Sequence, residues 1–190
     1  MPVSTQLIKE TGATFTPPNL ADFISDKLLS YFIADSQIVK VLDPACGGGI
    51  LLSSIARQLS VKNINYELIG FDSNPEFLQA ATSFLKSLNL KSSISLSHND
   101  FLEQINPNEN QGTLFDTVAD SPFINGTIDL VIANPPYVRT QILGAEYAQM
   151  IAKKFGLKGR VDLYFPFLIG MTHALKVDGL LGVITSNRYL

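Results

Sequence analysis

"IVKVLDPACGGGILLSSIARQL", Ile38 to Leu59, decides how this chain folds. It opens on a short β-branched run, Ile38 to Leu42, which the pair Asp43-Pro44 ends in a turn. Leu51, Leu52, Ile55 and Leu59 then recur at helical spacing, so Ile50 to Leu59 is predicted to be a helix. Between them, Gly47 to Gly49 let the backbone turn tightly and come close to a ligand with no side chain in the way. A strand, a glycine loop and a helix in that order form a unit of an α/β sheet.

The same alternation continues outward. Tyr66 to Phe71 reads as a second strand, and Asn74 as N-cap with Pro75 at the first helical position opens a helix to about Leu88. Ile94 to Ser97 is a third strand, Ile128 to Ala133 a fourth and Leu180 to Thr185 a fifth, with a buried helix expected over Val161 to Leu175. Phe101 to Gly126 has no clear period and is expected to be a long surface loop. Upstream, Asn19 is the expected N-cap of a helix whose apolar face is Leu20, Phe23, Ile24, Leu28 and Tyr31. Strands alternating with helices predict a doubly wound, mostly parallel sheet, because each parallel return needs a crossover. Ligands of such sheets bind beyond the carboxyl ends of the strands.

Composition bounds the rest. The 190 residues suffice for one sizeable core and are too few for two ordinary domains. A hydrophobic fraction of 46% with 16% charged residues is that of a folded globular chain. There is no run of about 20 apolar residues that would span a membrane, and Met1 to Glu10 lacks the apolar core of a signal peptide. A single cysteine, Cys46, excludes an internal disulfide framework and points to the cytoplasm; no metal-ligand spacing is present. The net charge of -3 argues against strong non-specific nucleic-acid binding by the whole chain. Arg139, Lys153, Lys154, Lys158 and Arg160, with Glu146 the sole acid among them, make either a solvated face or a phosphate contact.

The residues that follow the strands carry the chemistry. After the first come Asp43, Pro44 and Ala45, then Gly47 and Gly49; the third glycine of a dinucleotide loop and the lysine of a Walker loop are both absent. An acid here repels pyrophosphate and welcomes an ammonium group. Asp72 follows the second strand, where a carboxylate can accept both hydroxyls of a ribose or simply serve as a turn acid. Asp100 and Phe101 follow the third, an acid for an exocyclic amine beside a ring to stack on a base. "NPPY", Asn134 to Tyr137, follows the fourth. The Asn134 side-chain carbonyl and the backbone carbonyl of Pro135, fixed by the diproline, are two acceptors for one amino group, and Tyr137 is a stacking face. As local sequence alone, Asn-Pro and Pro-Pro are also ordinary turn punctuation.

Together these segments resemble the DNA adenine-N6 methyltransferases that use S-adenosylmethionine, over roughly Thr11 to Leu190. "TGATFTPP" is similar to the segment that holds the methionine end of the cofactor, which implies roles for Thr14, Phe15, Thr16 and Pro17. "DPACGGG" resembles the family's glycine loop, "GFD" its ribose acid and "NDF" its adenine contact, and "NPPY" its catalytic tetrapeptide of Asn134, Pro135, Pro136 and Tyr137. The resemblance implies a Rossmann-like class I methyltransferase fold. It also implies double-stranded DNA as partner, with the target adenine flipped out of the duplex and stacked on Tyr137. Cys46 lies in the cofactor loop and is read as a small packed residue, not a nucleophile.

The pattern departs from the family at its end. Residues 1–190 read as one cofactor-binding catalytic domain cut short after the fifth strand, without a DNA-recognition domain. Weak, non-specific DNA affinity and little or no activity are expected of them alone. The alternatives are an enzyme that methylates a protein glutamine amide or guanine N2 of ribosomal RNA, which also uses NPPY, or an inactive cofactor-binding fragment.

Overall fold

The computed structural model describes residues 16–35, 37–107, 124–136, 144–158 and 162–185. Of the expected site residues, Thr14, Phe15 and Tyr137 lie outside them, as do Arg139 and Arg160 of the basic group. The described elements run α1 (Pro18–Tyr31), β1 (Val39–Asp43), α2 (Ile50–Val61), β2 (Tyr66–Phe71), α3 (Pro75–Ser87) and β3 (Ser93–Ser97). A 3-10 turn (Phe101–Gln104) follows, then β4 (Ile128–Ala133), α4 (Ala145–Lys154), α5 (Tyr164–Ala174) and β5 (Leu175–Val183). The strands form one sheet in the order β3-β2-β1-β4-β5, and every neighbouring pair is parallel. The doubly wound sheet is therefore as expected.

The interior strand β4 is buried along its whole length, and its side chains are shared between two cores. Leu130 and Ile132 join Val41, Leu52, Ile55, Leu59 and Leu68 on the face covered by α1, α2 and α3. Ile128, Val131 and Ala133 join Phe101, Ile151, Phe167 and Met171 on the face covered by α4 and α5. From Leu130 to Ala133 this is the period-two alternation of apolar residues that a parallel strand covered by helices on both faces requires; Ile128 lies before a register shift and falls outside that phase.

Four expectations need correction. Helix α1 begins at Pro18 with Pro17 as its N-cap, and Asn19, inside the first turn, accepts only the adjacent Leu20 N–H at 3.0 Å. Its buried face is Ala21, Ser25, Leu28 and Leu29; Phe23 and Tyr31 are 59% and 77% exposed. The face is set by docking on α2, where Ser54 and Arg57 donate to Asp22, and not by the apolar residues nearest in sequence. The segment after Phe101 is not a surface loop at its start, because Phe101, Leu102 and Ile105 are buried in the second core; residues 108–123 lie outside the description. Helix α4 was not anticipated. Strand β5 begins earlier than expected because of a bulge: from Ile128 to Leu130 the β4 side advances two residues while β5 advances from Leu175 to Leu180. Asp178, at φ 64°, turns the chain there.

Candidate functional site

Because all five strands are parallel, their carboxyl ends share one edge of the sheet. The chain reverses its winding between β1 and β4, the switch point where the loops on either side diverge and leave a crevice. The glycine loop leaves β1 on one side of this point, and Asn134 to Pro136 leave β4 on the other. Val131 pairs with Leu42, so the two strands reach the edge together.

The glycine loop is anchored from below and from the side. Cys46 N–H donates to Phe71 O at 2.8 Å, tying the loop to the end of β2, and Gly49 N–H donates back to Cys46 O at 2.8 Å. Gly47 sits at φ 50°, and a Cβ there would meet no atom within 4 Å, so its backbone faces open space. Gly49, at φ 80°, starts α2 where a Cβ would meet Ala81 Cβ at 3.3 Å. Both positions favour glycine, one for left-handed backbone beside a cleft and one also for close helix packing. Cys46 is buried; burial pushes its thiol well above the ordinary range, with the Asp43 and Asp72 charges adding to it, which makes it a packed residue and a poor nucleophile.

Asp43 ends β1 and is 1% exposed. Its Oδ1 accepts the Ala45 N–H at 3.1 Å, across a turn that buries Pro44 and half-buries Ala45. Burial pushes its carboxyl up to about 8, against the pull of the Ala45 N–H and with the help of the Asp72 charge. Asp72, half-buried after β2, accepts Gly47 N–H on Oδ2 and Asn74 N–H on Oδ1, both at 2.8 Å. Burial raises its carboxyl as well, opposed by those two N–H groups and by His98, whose Nε2 donates to Ser73 O at 3.0 Å. Two acids held close together at a sheet edge, both shifted toward the protonated form, are an electrostatic setting that a bound cation would relieve.

Asp100 caps the 3-10 turn, with Oδ1 accepting Leu102 N–H at 2.9 Å. Its Oδ2 accepts the hydroxyl of Tyr147 from α4. The ring of Phe101 does not stand open for stacking: it is 1% exposed, tilted against Phe71 and Phe167 at centroid distances of 6.2 and 5.6 Å. It is part of the second core instead. Tyr147 was missed in the sequence because no motif marks a lone tyrosine whose partner is 47 residues away. Lys154, one of the basic group, is turned inward, its Nζ donating to Leu102 O at 2.7 Å.

Thr16 and Pro17 lie where the chain enters α1. Thr16 is buried, and its Oγ1 accepts the Asn134 side-chain N–H at 3.1 Å. The segment ahead of α1 and the amide-diproline turn thus meet directly, 118 residues apart in the chain. Asn134 and Pro136 are half-buried and Pro135 is buried. On the far side, Ile184 N–H donates to Ala133 O at 2.8 Å, fixing the last peptide of β4 before the turn.

A family model described as the Eco57I restriction-modification methylase matches residues 49–190. The chain belongs to this family. It is 45% identical over 187 residues to the type II methyltransferase M.BanIII of Aneurinibacillus aneurinilyticus, covering 96% of this chain and 31% of that protein. It is 26% identical to M.BstVI of Geobacillus stearothermophilus, covering 94% of this chain and 34% of the relative. The chain therefore spans about a third of the length of the curated relatives it matches. Among solved structures, the type IIG restriction endonuclease BpuSI superimposes with a TM-score of 0.67 at 20% identity, over 94% of this chain and 20% of that one. The chain shares its fold with a solved structure described as a class I S-adenosylmethionine-dependent methyltransferase of Listeria monocytogenes, with a TM-score of 0.63 at 22% identity, over 96% of this chain and 51% of that one. No helix among the described residues is long and apolar enough to cross a membrane.

Proposed function

We propose that this protein transfers a methyl group from S-adenosylmethionine to the N6 amine of adenine in double-stranded DNA, as the modification half of a restriction-modification system. The observation that carries the reading is the meeting of Asn134 with Thr16, at the sheet edge where the neighbouring β1 releases the glycine loop. That contact joins the segment assigned to the cofactor's methionine end with the turn assigned to the acceptor amine.

The residues fit the cofactor. Its ammonium group answers the buried Asp43 and the raised carboxyl of Asp72, its ribose hydroxyls can donate to Asp72, and the open backbone at Gly47 leaves room for close approach. Thr14, Phe15, Thr16, Pro17, Pro44, Ala45 and Gly49 complete the proposed wall, with Asp100 for the adenine amine. Phe101 contributes by supporting Asp100 from the core. When bound, S-adenosylmethionine supplies an electrophilic methyl group, which the N6 lone pair takes as the carbon-sulfur bond breaks and its electrons stay on sulfur.

The chain's own part is positioning. The Asn134 side-chain N–H donates to Thr16, which orients the amide, and its carbonyl oxygen, able to accept two hydrogen bonds, is the first acceptor for the target amine. The carbonyl of Pro135 is the second acceptor, held by the diproline. Two acceptors on one NH2 group concentrate its lone pair toward the methyl, and the proton lost after transfer leaves to solvent. Tyr137 stacks on the flipped base. No covalent intermediate is needed; the rate comes from orientation and electrostatic preorganisation. Sequence recognition is assigned to a domain outside residues 1–190, consistent with the modest charge of this part.

The test is transfer of tritiated methyl by the whole encoded polypeptide to adenine-containing duplex DNA, followed by nucleoside analysis. Label in N6-methyladenine is expected. Asn134→Ala should lower the rate by about a hundredfold or more, the loss typical of one preorganised polar group, while cofactor affinity holds within about twofold. Label in cytosine, in RNA or in protein, or an Asn134→Ala enzyme as fast as the parent, would overturn the reading.

A further inference from the structure

Tyr147 stands on the first turn of α4, the helix that follows the amide-diproline turn in the chain, and its hydroxyl donates to Asp100 Oδ2. The opposite oxygen is held by the Leu102 N–H at 2.9 Å. A carboxylate gripped on both oxygens cannot rotate about its Cβ–Cγ bond without giving up a partner. Among the described residues each oxygen accepts one bond, and a carboxylate oxygen has capacity for a second. At the other end of the same helix, Lys154 Nζ donates to Leu102 O at 2.7 Å and to Glu103 O at 3.5 Å. Helix α4 is thus fastened at both ends to the turn that presents Asp100. Tyr147 is half-buried, and burial together with Asp100 raises its phenol far above the ordinary range, so it remains a donor throughout the working pH range.

Resting on the assignment of Asp100 to the cofactor's adenine, we infer that Tyr147 is a positioning residue that sets purine specificity, by locking the Asp100 carboxylate in the one rotamer that meets a 6-amino group. The alternative purine shows why a lock matters. Hypoxanthine carries a 6-oxo group, which repels a carboxylate, but it offers an N1–H one ring position away. A carboxylate free to swing can reach that N–H and accept the wrong base. A carboxylate held by Tyr147 and Leu102 cannot follow it. The tyrosine therefore acts through another residue, and its signature is discrimination between ligands and not affinity alone.

The experiment is calorimetric titration of the protein with S-adenosyl-L-homocysteine and with its 6-oxo counterpart, S-inosyl-L-homocysteine, in wild type, Tyr147→Phe and Lys154→Met. The readout is the ratio of the two dissociation constants, from which any loss of folded fraction cancels. Wild type should prefer the adenosyl ligand by more than about tenfold, and Tyr147→Phe should shrink that preference by about five- to tenfold, the net weight of one hydrogen bond. Lys154→Met loosens the same helix without touching Asp100 and should leave the ratio within about twofold. An unchanged ratio in Tyr147→Phe, or an equal fall in Lys154→Met, overturns the positioning role while leaving the cofactor assignment intact. Wild type that binds neither ligand, or both equally, removes the cofactor assignment of Asp100 and the inference with it.

Discussion

Asp43 joins the cost of a buried carboxyl to the cofactor role proposed for it. Its carboxyl, pushed up to about 8 by burial, sits at 3.8 in an unfolded chain. Between those values the folded protein holds a proton that the unfolded chain has released, so the residue's stabilising contribution is complete below about pH 4 and is lost as pH rises through about 8. Asp43→Asn, which keeps an acceptor for Ala45 N–H and cannot ionise, should therefore gain on wild type in denaturant-measured stability as pH is raised from about 5 to about 9. A constant difference across that range would mean that Asp43 is ionised throughout. A ligand ammonium group reverses the balance by stabilising the charged form, and cofactor binding near pH 7 should then release a proton, visible as a dependence of binding heat on buffer. At this scale the sequence was informative where the signal was type and place. An acid or amide at or near the carboxyl end of each of the first four strands was legible because parallel topology gathers those ends at one edge. The burial of Phe101 was not legible, since an Asp-Phe pair reads alike whether its ring faces a cleft or, as here, Phe71 and Phe167.

Elements were legible in proportion to how local their signals are. The start of α3 is written in two adjacent residues: Asn74 Oδ1 accepts the N–H groups of Glu76 and Phe77 at 2.9 and 3.3 Å, and Pro75 takes the position that needs no N–H. Asn74→Ala should cost about 1 kcal/mol in urea-induced unfolding, the usual loss for an N-cap. A change under about 0.3 kcal/mol would mean that the tertiary docking of α3 makes its cap redundant. Helix α1 gave a misleading signal because its cap is Pro17, which has no side-chain acceptor, so the first polar residue, Asn19, drew the boundary inward. Its buried face then depended on α2, more than thirty residues on, which no local period can report. The bulge of β5 was hidden for a similar reason: only the register against β4 reveals that Lys176 to Gly179 contains extra residues. Helix α4 belongs with these, its docking secured by Tyr147 and Lys154 reaching back to the turn after β3.

For the molecule as a whole, the sheet order places the segments proposed for donor and acceptor on neighbouring strands. β1 brings the glycine loop and β4 the amide-diproline turn, while β2 and β3 extend the acidic wall outward on the β1 side. The architecture by itself does not choose an acceptor. That choice rests on the residues after β4, and on whether they face the donor. A crystal structure with S-adenosylmethionine bound examines this directly. The account predicts the ammonium beside Asp43 and the glycine loop, the ribose on Asp72, and the sulfonium methyl turned toward Asn134 across the switch point. A nucleoside seated at another edge of the sheet, or one whose methyl points away from Asn134, would contradict it.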